Sequence, residues 1–202
     1  MNITVNPQLI TGAQGIFAGP SSDGIVQGVS YPDPGTIWQL RTGVLAASET
    51  LPMWGGLPIV LDIPGVAGGP AGQLGPTVKR AIAAGPVDAF SVFDQAYGMI
   101  SSPASPVPQA GTGMQVESFR MGGGARIGVQ ASAAIAALGG SDINTPVQWD
   151  FVNNQLDVLG SGTALAVKIL AVLASNCMTV VYNTGTGLLT WNFNGSAAII
   201  QI

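Results

Sequence analysis

Apolar and polar positions alternate most clearly in the C-terminal third of the chain. Residues 147–151 (VQWDF) and 156–159 (LDVL) alternate on either side of a polar turn, and residues 179–182 (TVVY) and 188–193 (LLTWNF) do the same around NTGTG. Such alternation, with aromatic and β-branched residues beside an Asn- or Gly-containing turn, is typical of a β-hairpin. The pattern therefore predicts two antiparallel hairpins, which we expect to lie in one sheet.

Less regular alternation predicts further strands before this third of the chain. The candidate strands are residues 36–41, 59–63, 87–100, 114–121 and 126–130. Three consecutive glycines, 122–124, separate the last two, and this spacing predicts a hairpin turn or bulge between paired strands. Three segments stay open: residues 77–84 as a helix or a strand, 131–138 as a helix by alanine content or a strand or loop by context, and 163–174 as a helix or a strand.

Glycine and proline recur through residues 1–34, with single apolar residues between them. A segment of this composition buries little surface against itself, so we expect an extended N-terminal arm that lies along another surface. Residues 35–202 then form one β domain, with candidate inserted loops at 65–76 and 101–113. The predicted fold class is mainly β: an antiparallel β-sandwich or jelly-roll-like domain with an extended Gly/Pro-rich N-terminal arm.

The chain carries few charges for its length. Charged residues make up 8% of the 202 residues, against about a quarter in typical soluble domains. The net charge of −4 and the scattered basic residues argue against a nucleic-acid partner, because phosphate binding needs clustered Lys and Arg. No charged residue follows Lys168. A surface fully in water normally carries more charge, so we expect much of this surface to lie against a partner.

No stretch of the sequence reads as a targeting or membrane segment. Residues 1–22 lack the basic start and the continuous apolar core of a signal peptide. The longest uncharged stretches, 95–116 and 169–202, are interrupted by Pro, Gly, Asn and Thr, which argues against a membrane helix in either. We therefore expect no membrane partner.

The residue types that carry most enzyme chemistry are scarce. The chain has no histidine and one cysteine, so the commonest general base and every usual zinc site are missing. Carboxylates alone can hydrolyse glycans, but Asp150 and Asp157 flank one turn, where they either face each other or cap it. We predict turn charges there, a buried free thiol at Cys177, and a protein that is not an enzyme, with no catalytic residue, cofactor or metal site.

The candidate binding residues are apolar. Trp54 lies in an irregular stretch between Pro52 and Gly55, and tryptophan is enriched at the anchoring positions of interfaces. We predict that it contacts a partner together with its neighbour and the apolar residues of the arm. The predicted interface residues are Ile3, Val5, Ile10, Ile16, Phe17, Met53 and Trp54.

Two blocks of the sequence resemble a known family. Residues 146–150 (PVQWD) and 153–157 (NNQLD), followed by small residues and a terminal alternating strand, resemble the capsid cement (decoration) proteins of tailed bacteriophages. Residues 40–46 and 53–59 look like the earlier part of such proteins. The resemblance covers about half of the chain, which is longer than the small members and has a more apolar C-terminal stretch.

This resemblance implies a structural protein on the outer surface of the virion. A β-sandwich or jelly-roll domain would bridge neighbouring subunits of the major capsid protein and associate with itself as a dimer or trimer. The arm could add a strand to an edge of a capsid sheet. The alternatives are, in descending order, a minor tail or fibre-associated virion protein, a bacterial surface adhesin and a carboxylate-only glycan hydrolase.

Overall fold

The structure is a computed structural model that describes residues 24–31, 36–62, 76–83, 85–93, 100–102, 105–139 and 144–202. These residues are mainly β, which confirms the predicted class. The strands are β1 (Arg41–Leu45), β2 (Pro58–Asp62), β3 (Thr77–Arg80), β4 (Ala89–Val92), β5 (Ile100–Ser102), β6 (Ser105–Gln109), β7 (Gln115–Arg120), β8 (Arg126–Gln130), β9 (Val147–Asp150), β10 (Gln155–Val158), β11 (Lys168–Asn183) and β12 (Leu188–Gln201). A 3-10 turn spans Ile37–Gln39, and a short helix, α1, spans Ala133–Ala136.

Five of the strands close into a barrel. Their order is β1-β3-β2-β4-β7, with β7 returning to pair with β1. The β1–β3 pair is parallel and the other pairs are antiparallel. Both β4 and the centre of β7 are buried along their length, which means that both faces of this part of the barrel are covered. The sandwich or jelly-roll arrangement is not confirmed, since these strands form a barrel.

Both predicted C-terminal hairpins are present. Strand β9 pairs with β10, and β11 pairs with β12, each in an antiparallel ladder. The two hairpins belong to different sheets, however: β9 and β10 form a two-stranded sheet, whereas β11, β12 and β8 form a three-stranded one. The expectation of one shared sheet is therefore wrong. A single parallel bridge, between Ala131 and Leu156, joins β10 to the end of β8.

The glycine turn before β8 does not make a hairpin. Strand β7 already pairs with β1 on one edge and β4 on the other, so no edge remains for β8, which pairs with β12 instead. Gly122 and Gly124 have φ angles of 80° and 75°, a left-handed conformation that glycine adopts without steric cost. The turn thus leads the chain out of the barrel and into the three-stranded sheet, and the predicted pairing is wrong.

Three other local predictions change. The strand predicted at 36–41 is the 3-10 turn followed by β1. The predicted loop at 101–113 contains β6, because Pro106 and Pro108 occupy alternate positions and leave Ser105 and Gln109 to pair with β5. Of the open segments, residues 77–80 form a strand, 168–174 belong to β11, and 133–136 form a helix. The Ser132 hydroxyl begins that helix by accepting a hydrogen bond from the Ile135 N–H at 3.2 Å.

Part of the predicted arm belongs to the domain itself. Residues 24–31, here called the strap, bridge in parallel to Met178 of β11 and in antiparallel to Ile127 of β8. The strap therefore joins the two outer edges of the three-stranded sheet. The rest of the arm and most of the candidate loop at 65–76 lie outside the described residues, so the boundary at residue 34 stays a prediction. Within the described ranges, no helix has the length and apolar character needed to cross a membrane.

Polar groups under the strap are well paired. Gln27 is fully buried; its side-chain carbonyl accepts a hydrogen bond from the Val180 N–H at 2.8 Å, and its amide donates to the Gly55 carbonyl at 3.3 Å. Gly128 lies so close beneath the strap that a Cβ there would come within 2.3 Å of the Val26 carbonyl oxygen. This close approach requires glycine at residue 128, and it lets the backbone of the strap pack directly against β8.

Candidate binding groove

The structure places the described members of the predicted interface in the core. Trp54 is 2% exposed and Met53 is fully buried, and the backbone of Met53 forms a bridge to Ala110. Tyr182 stacks against the Trp54 ring at 5.7 Å between centroids. Side chains buried within one molecule offer no area to a partner, so this location argues against the interface prediction for both. The arm residues Ile3, Val5, Ile10, Ile16 and Phe17 lie outside the described residues.

A groove of about 430 Å³ lies where the barrel meets the two hairpins, and Arg80, which covers the ring of Trp54, lines it. We call it the Arg80 groove. It adjoins a second hollow of about 280 Å³, and the two share Ala83, Trp149 and Phe151 as walls. We define the Arg80 groove by six of the side chains that line it: Glu49, Leu51, Arg80, Ile82, Val152 and Tyr182.

Strand β3 positions the cation of this groove. Successive side chains of a strand point to opposite faces, so Arg80 shares the face of buried Val78, whereas Lys79 points outward and pairs with Asp62 at 3.3 Å. The Arg80 guanidinium carbon lies 4.4 Å from the centroid of the Trp54 ring, a cation–π contact. Its Nη2 donates to the Pro52 carbonyl.

Burial lowers the pKa of Arg80, but the side chain keeps its positive charge. Loss of contact with water lowers the pKa of Arg80 to about 10, while the nearby negative charge of Glu49 opposes that shift. The guanidinium is therefore still cationic at neutral pH. The Glu49 carboxylate also accepts a hydrogen bond at 3.3 Å from the backbone N–H of Arg80, which fixes the end of β3 at the groove.

Three N–H groups at the groove and beneath it are buried without a hydrogen-bond partner. They are Nε of Arg80 and the indole Nε1 of Trp54 and of Trp149. Leaving such a donor unpaired typically costs about 1–3 kcal/mol, so native proteins rarely do so without reason. All three groups are donors, but their nitrogen atoms are buried, so they are not open to a molecule in the groove as the side chains stand.

The rim of the groove carries exposed aliphatic side chains. Ile82 is 64% exposed and Val152 is 87% exposed. Val152 stands on the turn between β9 and β10, where the Asp150 carboxylate accepts hydrogen bonds from the N–H groups of Val152 and Asn153 at 2.9 and 3.1 Å. Burial alone would raise the pKa of Asp150, but these bonds and those from the Asn153 and Gln155 side chains lower it below its ordinary value.

Asp150 and the single cysteine have the predicted structural roles, whereas Asp157 neither caps the turn nor faces Asp150, because it pairs with Gln148 within the ladder. Asp150 caps the turn, and Asp157 accepts hydrogen bonds from the Ser132 hydroxyl at 2.6 Å and from the Val158 N–H at 2.9 Å. Cys177 is a buried free thiol, and burial raises its pKa. In the part of the chain that the structure describes, no three His, Cys, Asp or Glu side chains come together as a metal-binding group.

Sequence reasoning missed the Arg80 groove. The signal available was the adjacent pair Lys79 and Arg80 in a segment that could be a strand: alternation would send one cation outward and the other toward the interior. The exposure of Ile82 and Val152 had no such signal, because it depends on which elements meet. Comparison with known proteins adds no relative: no family model, curated protein or solved structure matches the chain.

Proposed function

We propose that this chain is a structural virion protein that binds the outer surface of a phage capsid and cements neighbouring major capsid subunits. The observation that carries the proposal is a set of exposed apolar side chains on a chain of very low charge. Trp38 is 84% exposed, and Ile82 and Val152 also stand in solvent. A free protein with few charges and exposed apolar side chains tends to associate, whereas one that is permanently bound to a shell covers them.

The long C-terminal hairpin supports the same reading. Beyond Lys168 it has no charged side chain, and Leu173, Val181 and Leu188 are exposed along it. Permanent interfaces are larger and more apolar than transient ones. A hairpin of this composition is suited to lie against neighbouring subunits or against another copy of the chain.

The sandwich or jelly-roll arrangement is part of this proposal through the family resemblance alone. The function does not depend on it, because binding is a property of the surface and different β architectures support the same role. The major capsid protein is the proposed partner, and the outer face of the virion is the proposed location.

Counting copies in purified particles of the source tests the proposal. We expect quantitative mass spectrometry to find hundreds of copies per particle, and cryo-electron microscopy to place them symmetrically between capsid subunits. About a dozen copies or fewer would favour the tail or fibre-associated alternative and overturn the cement role. Absence from the particle would overturn both virion functions.

A further inference from the structure

We propose that the Arg80 groove binds a segment of a partner protein in which a carboxylate side chain is flanked by apolar residues. The inference deepens the proposed function, on which it rests for the partner being a protein. Its elements are the cation of Arg80, the apolar wall that includes Trp149, and the aliphatic rim formed by Ile82 and Val152.

The charge of Arg80 determines which ligand groups the groove favours. Arg80 is partly exposed and lines the groove together with Trp149. The Arg80 Nε and the Trp149 indole nitrogen are buried atoms, so they are not themselves the contact points. A guanidinium carries only donors and a positive charge, which carboxylate oxygens complement and a ligand rich in donors does not.

Arg80 has no direct ion-pair partner among the described residues, although the negative charge of Glu49 is near enough to raise its pKa. Glu49, the acidic residue on the wall, contacts the backbone N–H of Arg80, and among the described residues the ion pair found within 4.0 Å is that of Lys79 with Asp62. A planar guanidinium matches a carboxylate through two parallel hydrogen bonds. In a partly buried site that pairing is stronger than it would be in water.

The shape of the site favours an extended polypeptide. Apolar walls continue from the Arg80 groove into the adjoining hollow through Ala83, Trp149 and Phe151. Ile82 and Val152 project beside the opening from two different elements. An extended peptide presents side chains alternately, so it can place a carboxylate on Arg80 and apolar groups on either side. A sugar would need exposed aromatic faces, but Trp54 and Trp149 are buried.

A displayed library of random hexapeptides, selected against the full chain, tests the inference. We expect the enriched peptides to carry Asp or Glu between apolar residues. Their binding to Arg80→Met should weaken at least about tenfold, the scale of a lost charge-assisted pair, and Arg80→Lys should recover part of it. Lys79→Met is the matched control, because it removes the neighbouring cation on the opposite face, and it should bind like the wild type.

Rim variants keep the inference falsifiable if Arg80→Met fails to fold. Ile82→Ser and Val152→Ser change exposed positions, and each should weaken the same peptides about threefold or more while the melting temperature is retained. The inference is overturned by peptides without acidic enrichment, or by equal binding to the wild type and to the Arg80 or rim variants. Competition by benzoate as strong as that of the peptides would identify a small-molecule site and also overturn it.

Reattachment to particles depleted of this protein separates the two proposals. Attachment that is equal for the wild type and the Arg80 and rim variants would overturn the groove as the contact while the cement function stands. If the wild type does not attach but still selects acidic peptides through Arg80, the cement function fails and the groove stands.

Discussion

The sheet beneath the strap and the Arg80 groove differ in whether their buried polar groups have hydrogen-bond partners. Under the strap, the buried Gln27 amide both accepts and donates a hydrogen bond, and glycine at 128 allows backbone to touch backbone. At the groove, buried donors of Arg80 and Trp149 have no partner, and aliphatic side chains stand in solvent. The contrast teaches that the strap completes the hydrogen bonding of one region, whereas the other region leaves buried donors without a partner among the described residues.

The largest expected effect comes from breaking the completed region at Gly128. The Cβ of a Gly128→Val side chain would meet the Val26 carbonyl oxygen at 2.3 Å, and this oxygen belongs to the backbone, which has little freedom to move away. We expect a loss of about 3 kcal/mol in the free energy of unfolding, measured by denaturant titration. Gly160→Ala is the control, since its Cβ would make an ordinary contact at 3.6 Å; an equal loss there would refute the close-contact explanation.

Gln27→Leu should cost somewhat less. It keeps the approximate volume of the side chain but leaves the Val180 N–H and the Gly55 carbonyl without their partner. Unpaired buried backbone groups predict a loss of about 2 kcal/mol, with faster hydrogen exchange at the Val180 amide. The exposed Gln39 provides the comparison through Gln39→Leu. If exchange at Val180 is unchanged, Gln27 does not hold the strap to β11.

Asp150 provides a pH-dependent way to loosen the rim. Its pKa in the folded protein lies below the ordinary value of 3.8, so the ionised carboxylate stabilises the fold above that value. This contribution is lost as the pH falls through the lower, folded pKa. Asp150→Asn should cost less than about 1 kcal/mol at pH 7, because the carboxylate is partly exposed to water, which screens it, and little in strong acid. Melting curves of both proteins from pH 7 to pH 2 measure this; a constant difference across the range would contradict the mechanism.

The smallest effect on stability is expected at the rim itself. Val152 is 87% exposed, so Val152→Ser should change the free energy of unfolding by less than about 0.5 kcal/mol. Thermal denaturation of the two proteins checks this. A larger loss would mean that Val152 packs within the molecule, and the contrast between a completed sheet and an open groove would then be weaker.

The local patterns predicted several elements well. Both C-terminal hairpins were recognisable, because alternation and turn residues act within a few positions of each other. The structural roles of Asp150 and Cys177 were likewise readable from their neighbours. Trp54 was misjudged for the same reason: its loop looks irregular along the chain, yet Tyr182, far away in the sequence, stacks against it and buries it.

The sequence by itself determined that this protein is mainly β, low in charge, and without the histidine and cysteine sets of common catalytic and metal sites. Only the tertiary structure decided which strands pair. Both edges of β7 are paired within the barrel, so β8 pairs with β12 instead. It also decided that residues 24–31 complete a sheet and that Arg80 faces a groove. Pairing and burial depend on contacts between distant segments, and a strand's own residues specify its faces but not its neighbours.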